Sequence, residues 1–390
     1  MKISFVIPWF GRELGGGAET LCREYSVRLA GSGHDVEVLT TCSRDHNAVW
    51  NENFHAAGRT MDDAGFAVER FEVDQGNRGI FAELNERLLR GDVLSYREEA
   101  AFFSESINST ALVNAVECRL SDRVVIALPY PFGLTRAVVH AAEGRGILWP
   151  CLHDEGYARM KLTADMFQRS AGIIFNAQGE RQLAESMRLA VKRSAVVGMG
   201  VELPVGEMNN SGAGAERSAA LLYLGRRSGP KGFAQLCRMF AEYRRQGGQW
   251  ELWVAGKGDA VPAGAKGVRD LGFLTVEQKW ETLRKASALV MPSRLESFSI
   301  ALLEALAVGT PALVNARCAV TRGHVEAGRC GLHYAGTAQF AEAALLLERR
   351  NDLRQTLGEY GRAYVAQNFA WPQRIEALLE FLAEVAPHAR

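Results

Sequence analysis

Short apolar runs alternate with amphipathic segments twice along this chain, and that alternation limits the fold more than any other feature. Residues 3–7 read as a fully buried strand, the loop 8–17 is rich in glycine, and 18–30 has helical spacing. A second strand is expected at 36–40. Residues 42–70 are irregular, with strand signal only at 66–73. Helices at 80–90 and 98–120 lead to a strand at 124–128, and helix and strand then alternate through 134–143, 147–152, 158–168, 171–175, 181–189 and 196–197. The segment 206–216 is small, polar and aperiodic, which marks it as a linker. The alternation restarts with strands at 221–224, 250–255, 268–271, 288–291 and 312–314, helices at 233–244, 276–285 and 300–308, and terminal helices at 337–349, 351–368 and 372–385. Apolar strands separated by helices imply parallel sheets covered on both faces. The expected architecture is therefore α/β, with two doubly wound Rossmann-like domains. Residues 1–205 form the first, residues 206–371 the second, and 372–390 packs back on the first.

A chain of 390 residues is too long for one ordinary core. Lys plus Arg and Asp plus Glu both number 45, so no bulk field draws in nucleic acid. The stretch 159–193 is locally basic and compatible with an anionic membrane surface. Seven cysteines without a C-x-x-C pair argue against a disulfide framework or a zinc site, and for a reducing compartment. No segment reaches the ~18 apolar residues of a membrane span, so the expected location is the cytoplasm, including the inner membrane face.

Chemistry concentrates in loops that follow the strands of the second domain, where ligands of such sheets sit. Gly225, Arg226, Lys231 and Gly232 place cations at the start of a helix, a combination suited to phosphate oxygens. Gly256 and Gly258 flank Lys257 after the next strand. The stretch 293–309 ends a strand at Pro292, offers Ser299 as an N-cap and Gly309 as a C-terminal cap, and is apolar from Ile300 to Val308 except at Glu304. A carboxylate in such a helix needs a buried protein partner or a ligand hydroxyl. A vicinal diol such as a ribose would satisfy it. Locking to an internal cation would remove that argument. Glu296 lies in the preceding loop. The chain has no Asp-x-Asp pair to hold a divalent ion on a diphosphate, so no metal site is expected.

Glu296 and Glu304 form an E-x7-E motif. With 225–232 upstream and Gly15-Gly16-Gly17-Ala18-Glu19 after the first strand, the chain resembles a retaining GT-B glycosyltransferase of the large family that includes phosphatidylinositol mannosyltransferases and sucrose synthases. The resemblance covers the whole length, is strongest over 221–314, and implies two domains facing across a cleft. It implies that Arg226 and Lys231 neutralise a donor diphosphate, that Glu304 holds the nucleotide ribose, and that Glu296 faces donor-sugar hydroxyls. Backbone amides of Phe298, Ser299 and Ile300 would meet the sugar and distal phosphate. Gly16 and Gly17 would let the first loop approach the diphosphate, Gly256 belongs to the donor loops, and Gly272, Phe273 and Leu274 would wall the base. His153 occupies the place of an active-site histidine. Ser297 and Ser299 depart from the family, which often has glycine there.

The activity implied is transfer of a sugar from a UDP- or GDP-linked donor to an acceptor hydroxyl with retention, independent of metal. No cofactor is implied beyond the nucleotide-sugar substrate. The expected acceptor is a glycan or a lipid-linked acceptor, chosen by first-domain loops at 41–74. Two other classes stay open: a nucleotide-sugar-binding protein without transfer activity, and a nucleotide-sugar epimerase. The sequence does not give the oligomeric state.

Overall fold

Runs of aliphatic residues, buried on both faces, become parallel strands in two separate sheets. The computed structural model describes residues 1–45, 50–202 and 217–386. The chain divides into one unit of Met1–Gly198 with Arg374–Arg390, and a second of Met199–Gln373. The expected boundary at 205/206 and the linker 206–216 lie outside the described residues.

The first unit runs β1 (Lys2–Ile7), α1 (Gly17–Gly31), β2 (Asp35–Thr41), β3 (Gly58–Met61), β4 (Ala67–Phe71), α2 (Arg78–Arg90), α3 (Tyr96–Ser104), α4 (Thr110–Glu117) and β5 (Val124–Ala127). It continues with α5 (Gly133–Ala141), β6 (Ile147–Leu148), a short 3-10 turn at Gly156–Arg159, α6 (Lys161–Arg169), β7 (Gly172–Phe175), α7 (Gln178–Ser186) and β8 (Ser194–Val196). The strand order is β3-β4-β2-β1-β5-β6-β7-β8, parallel except for the antiparallel β3–β4 pair. The single helix expected at 98–120 is two helices. Asn108 donates from Nδ2 to the carbonyls of Phe103 and Ser104, and Ser109 starts α4 by accepting from Leu112 N.

The second unit runs β9 (Ser218–Leu224), α8 (Phe233–Arg245), β10 (Glu251–Ala255), β11 (Val268–Gly272), α9 (Val276–Lys285), β12 (Ala286–Met291) and α10 (Ile300–Ala307). After these come β13 (Ala312–Asn315), α11 (Ala319–Gly328), β14 (Gly331–Tyr334), α12 (Thr337–Arg349) and α13 (Asn351–Asn368), and then α14 (Trp371–Val385), which passes into the first unit. There Phe381 of α14 lies against β7, so close that a Cβ on Gly172 would meet its ring at 2.7 Å. The second sheet is all parallel, in the order β11-β10-β9-β12-β13-β14. Numbered within the unit, this is the 3-2-1-4-5-6 order of a dinucleotide-binding sheet, which reverses between β9 and β12. Leu221, Phe233, Leu236, Phe240, Val254, Val290, Leu313 and Phe340 centre its core.

Arg217 closes the far end of this sheet. Its guanidinium donates to the carbonyls of Arg284, Ala286, Val308 and Gly309 and to Thr310 Oγ1, at 2.6–3.3 Å. A cation there complements the carboxyl ends of α9 and α10. Burial lowers its pKa to about 10, so it stays charged at neutral pH.

Candidate functional site

The loops after β9 and β12 leave the second sheet on either side of its reversal point, where ligands of such sheets bind. Three backbone loops interlock there. Gly225 N donates to Ala255 O (3.0 Å), Gly256 N to Gly272 O (2.7 Å), Arg227 N to Lys257 O (2.8 Å), and Asp259 N to Arg227 O (2.8 Å). Gly256 has φ +130°, and a Cβ on it would stand 2.0 Å from Gly225 O. Only glycine allows that approach. Arg227 is anchored on Asp270 at 2.5 Å, whereas Arg226 is exposed. Phe273 is exposed with Lys257 Nζ 4.8 Å from its ring centre, beside half-buried Gly272 and Leu274.

Lys231 and Glu296, distant in sequence, form a 2.7 Å ion pair between Nζ and Oε1. The backbone brings them together. Gly232, left-handed at φ +73°, starts α8 so close to the β12 loop that a Cβ would lie 2.8 Å from Pro292 O, which also accepts from Asn315 Nδ2 at 3.0 Å. A partly buried pair of this kind is costly to split, because the survivor keeps an uncompensated charge.

Ser299 does precede α10, but not as an ordinary N-cap. Its backbone is left-handed (φ +71°), and its buried Oγ bonds to no described residue. Serine is strained at a positive φ, which glycine adopts freely. Phe298 points inward against His324 and Phe369. Ile300 opens the helix, whose first amides have no partner within it.

One expectation is corrected. Glu304 is not left for a ligand: Lys279 of α9 donates to its Oε1. Burial still raises the Glu304 pKa, with Lys279 pulling the other way. The buried-carboxylate argument for a ribose therefore fails, because the protein supplies the partner.

In the first unit, a Cβ on Gly15 or Gly17 would meet no atom within 4 Å, whereas one on Gly16 would collide with the Glu19 carboxylate. Glu19 is held by Trp9 Nε1. His153 Nδ1 lies 3.5 Å from Glu155 Oε1, which accepts from Tyr130 OH at 2.9 Å. Glu180, unremarked in the sequence, is fully buried and accepts from the amides of Leu152 and Asn176 at 2.5 Å each, so it fixes the loop bearing His153. Burial pushes Glu180 from an ordinary 4.5 to about 8 against the pull of those amides. Between those values the folded state holds more proton than the unfolded one, so stability falls as pH rises and levels off above about 8. We expect unfolding free energies measured from pH 5 to 8 to decline by a few kcal/mol, and Glu180→Gln to remove that decline. A Glu180→Gln protein with the wild-type slope would show that Glu180 is ionised throughout.

Among the described residues, no group of three or more His, Cys, Asp or Glu gathers as a metal cluster. All seven cysteines are unpaired. No described helix is long and apolar enough to cross a membrane.

Comparison with known proteins adds three findings. Residues 207–364 match the family model described as "Glycosyl transferases group 1". A D-inositol 3-phosphate glycosyltransferase of Corynebacterium jeikeium is 30% identical over 189 residues, covering 44% of this chain and 45% of that protein. The chain thus spans under half the length of this relative. Among solved structures, a sucrose-phosphate synthase from Thermosynechococcus elongatus superposes with TM-score 0.67 at 15% identity, covering 98% of both chains. Anabaena HepE, solved in complex with UDP, gives 0.63 at 15% identity, covering 98% of this chain and 100% of that one. At such identities the likeness concerns the fold: two parallel-sheet α/β units, as the sequence led us to expect.

Proposed function

We propose, from the match of residues 207–364 to the glycosyl transferases group 1 model, that this chain moves a sugar from a nucleoside-diphosphate sugar to an acceptor hydroxyl with retention of configuration. The observation that carries this reading is the Lys231–Glu296 pair, set at the start of α8 beside the reversal point of a 3-2-1-4-5-6 sheet.

In this reading the diphosphate draws Lys231 into contact, and Arg226 and the first amides of α10 share the remaining charge. Those groups balance the leaving diphosphate without a metal ion. Glu296, released from part of its pairing, accepts from hydroxyls of the donor sugar. Ser299 Oγ and the amides of Phe298, Ser299 and Ile300 lie at the sugar and distal phosphate. Gly256 keeps the donor loops interlocked, while Gly272, Phe273 and Leu274 wall the base. Glu304 stays with Lys279 and takes no contact with the ribose. From the first unit, Gly16 and Gly17 would approach the diphosphate and His153 the donor sugar, on the strength of the resemblance. Retention would follow a front-face course in which the leaving phosphate oxygen helps deprotonate the incoming hydroxyl, and the protein acts by positioning and electrostatics. A glycan or lipid-linked acceptor and a cytoplasmic setting complete the proposal. The UDP bound in the HepE structure makes uridine the first base to test.

The test is a thermal-shift panel of UDP, GDP, ADP and their sugars, followed by product analysis. A nucleotide present at about 100 times its Kd stabilises the folded state by ~2.7 kcal/mol, so one of them should raise Tm by several degrees. Nuclear magnetic resonance of the product should show the donor's anomeric configuration. Silence across the whole panel, or an inverted product, would overturn the reading.

A further inference from the structure

The first unit holds a cavity of about 520 Å³, built where the loops after β2 and β4 meet the start of α2 and the end of α3. One side is aromatic. Trp50 and Phe81 line it, their ring centres 4.8 Å apart, and both are half-buried. The wall continues inward, with Trp9 and Phe132 5.8 and 5.7 Å from Trp50. Trp9 in turn holds Glu19 of the glycine stretch at 15–19.

The other side is polar, and its groups are fixed by uncharged neighbours. Asp74 accepts from Thr110 N (3.1 and 2.9 Å) and Thr110 Oγ1 (2.8 Å). Glu105 accepts from Asn77 N at 2.6 Å, and Asn85 Oδ1 from Tyr157 OH at 2.6 Å. Neither carboxylate is paired with a cation among the described residues, although Arg78 lines the same cavity and itself makes no ion pair there. The carboxylates thus keep lone pairs for further donors, and Asn85 Nδ2 donates to no described residue. The described charged lining carries a net negative charge.

Tilted aromatic rings sharing one cavity with oriented carboxylates and an amide match one ligand chemistry. A pyranoside presents a C–H face to aromatic rings and a fan of hydroxyl donors to carboxylates. The negative balance disfavours a phosphorylated sugar. The cavity's size lies within the usual range of roughly 300–1,000 Å³ for small-ligand sites. We infer that this cavity binds the acceptor as a neutral pyranoside, the terminal sugar of a glycan. The inference rests on the glycosyltransferase reading and deepens it by naming the acceptor's chemical class.

The experiment titrates the full chain with methyl glycosides of glucose, galactose, mannose and N-acetylglucosamine, and with glucose 6-phosphate, by saturation-transfer nuclear magnetic resonance. The UDP thermal shift is recorded in parallel. At least one neutral glycoside should bind saturably, weaken at least about tenfold in Trp50→Ala, recover in part in Trp50→Phe, and leave the UDP shift unchanged. Glu105→Gln, which keeps the aromatic wall, should also weaken it and covers the case in which Trp50→Ala fails to fold. Equal binding by wild type and all three variants overturns the assignment, as does preference for the phosphorylated sugar. A protein that shifts with UDP but binds no neutral glycoside overturns this inference and leaves the donor reading intact. Glycoside binding without any nucleotide response supports the cavity and overturns the donor reading.

Discussion

Replacing Lys231 with alanine is expected to lower sugar transfer about 10²–10³-fold, the usual loss when one preorganised contact to developing charge is removed. Two effects act in the same direction. The diphosphate loses a cation, and Glu296, now without its 2.7 Å partner, repels the phosphate oxygens. Glu296→Gln should also lose most activity, through the donor sugar. The double variant should be less impaired than the product of the two single losses, because the repulsion disappears with the carboxylate. Steady-state kinetics on the four proteins measures this coupling. Strict multiplicativity would mean that the pair does not act as a unit, and wild-type turnover by Lys231→Ala would remove the residue from the mechanism.

Gly256→Ala is the substitution expected to damage the fold most. At φ +130° an alanine is strained by about 1–3 kcal/mol before any contact is considered. Its Cβ would also lie 2.0 Å from Gly225 O, so one of the two backbone segments must move. Moving either breaks the interlock of Gly225, Arg227 and Gly256 with their neighbouring carbonyls. We expect a loss of more than about 3 kcal/mol, read by calorimetry as a Tm lower by roughly 6–12 °C, together with loss of nucleotide binding. Gly229→Ala serves as the control, because a Cβ there meets nothing within 4 Å; it should stay within about 0.5 kcal/mol of wild type. Similar stability for the two variants would refute the steric account.

The strands were legible because a strand covered on both faces is mostly apolar along its length, as in Phe5 to Ile7 and Leu221 to Tyr223. Strand β3 was not, because its Gly-Arg-Thr-Met is exposed throughout and held by pairing with β4 rather than by burial. The break between α3 and α4 was signalled by Asn108 and Ser109, but a helical apolar period runs across it and masked the capping residues. Helix α11 and strand β14 went unread: two glycines fall inside the helix, and only Tyr334 of the strand is buried. At the candidate site, Lys231 and Glu296 could be read from local spacing and type. Their pairing could not, nor could Lys279 for Glu304, Asp270 for Arg227, Asn315 for Pro292, or Glu180 beneath His153. Each of these partners is remote along the chain or set by loop geometry, and no local pattern encodes it.

Arg217 has a further consequence. It ties the carboxyl ends of α9 and α10 to one guanidinium, while Lys279 and Glu304 tie the same helices partway along. Two cross-links make a rigid truss. Helix α10 is therefore tied to α9 at two points, so in the proposed reading its amino end would meet a ligand as a fixed buttress.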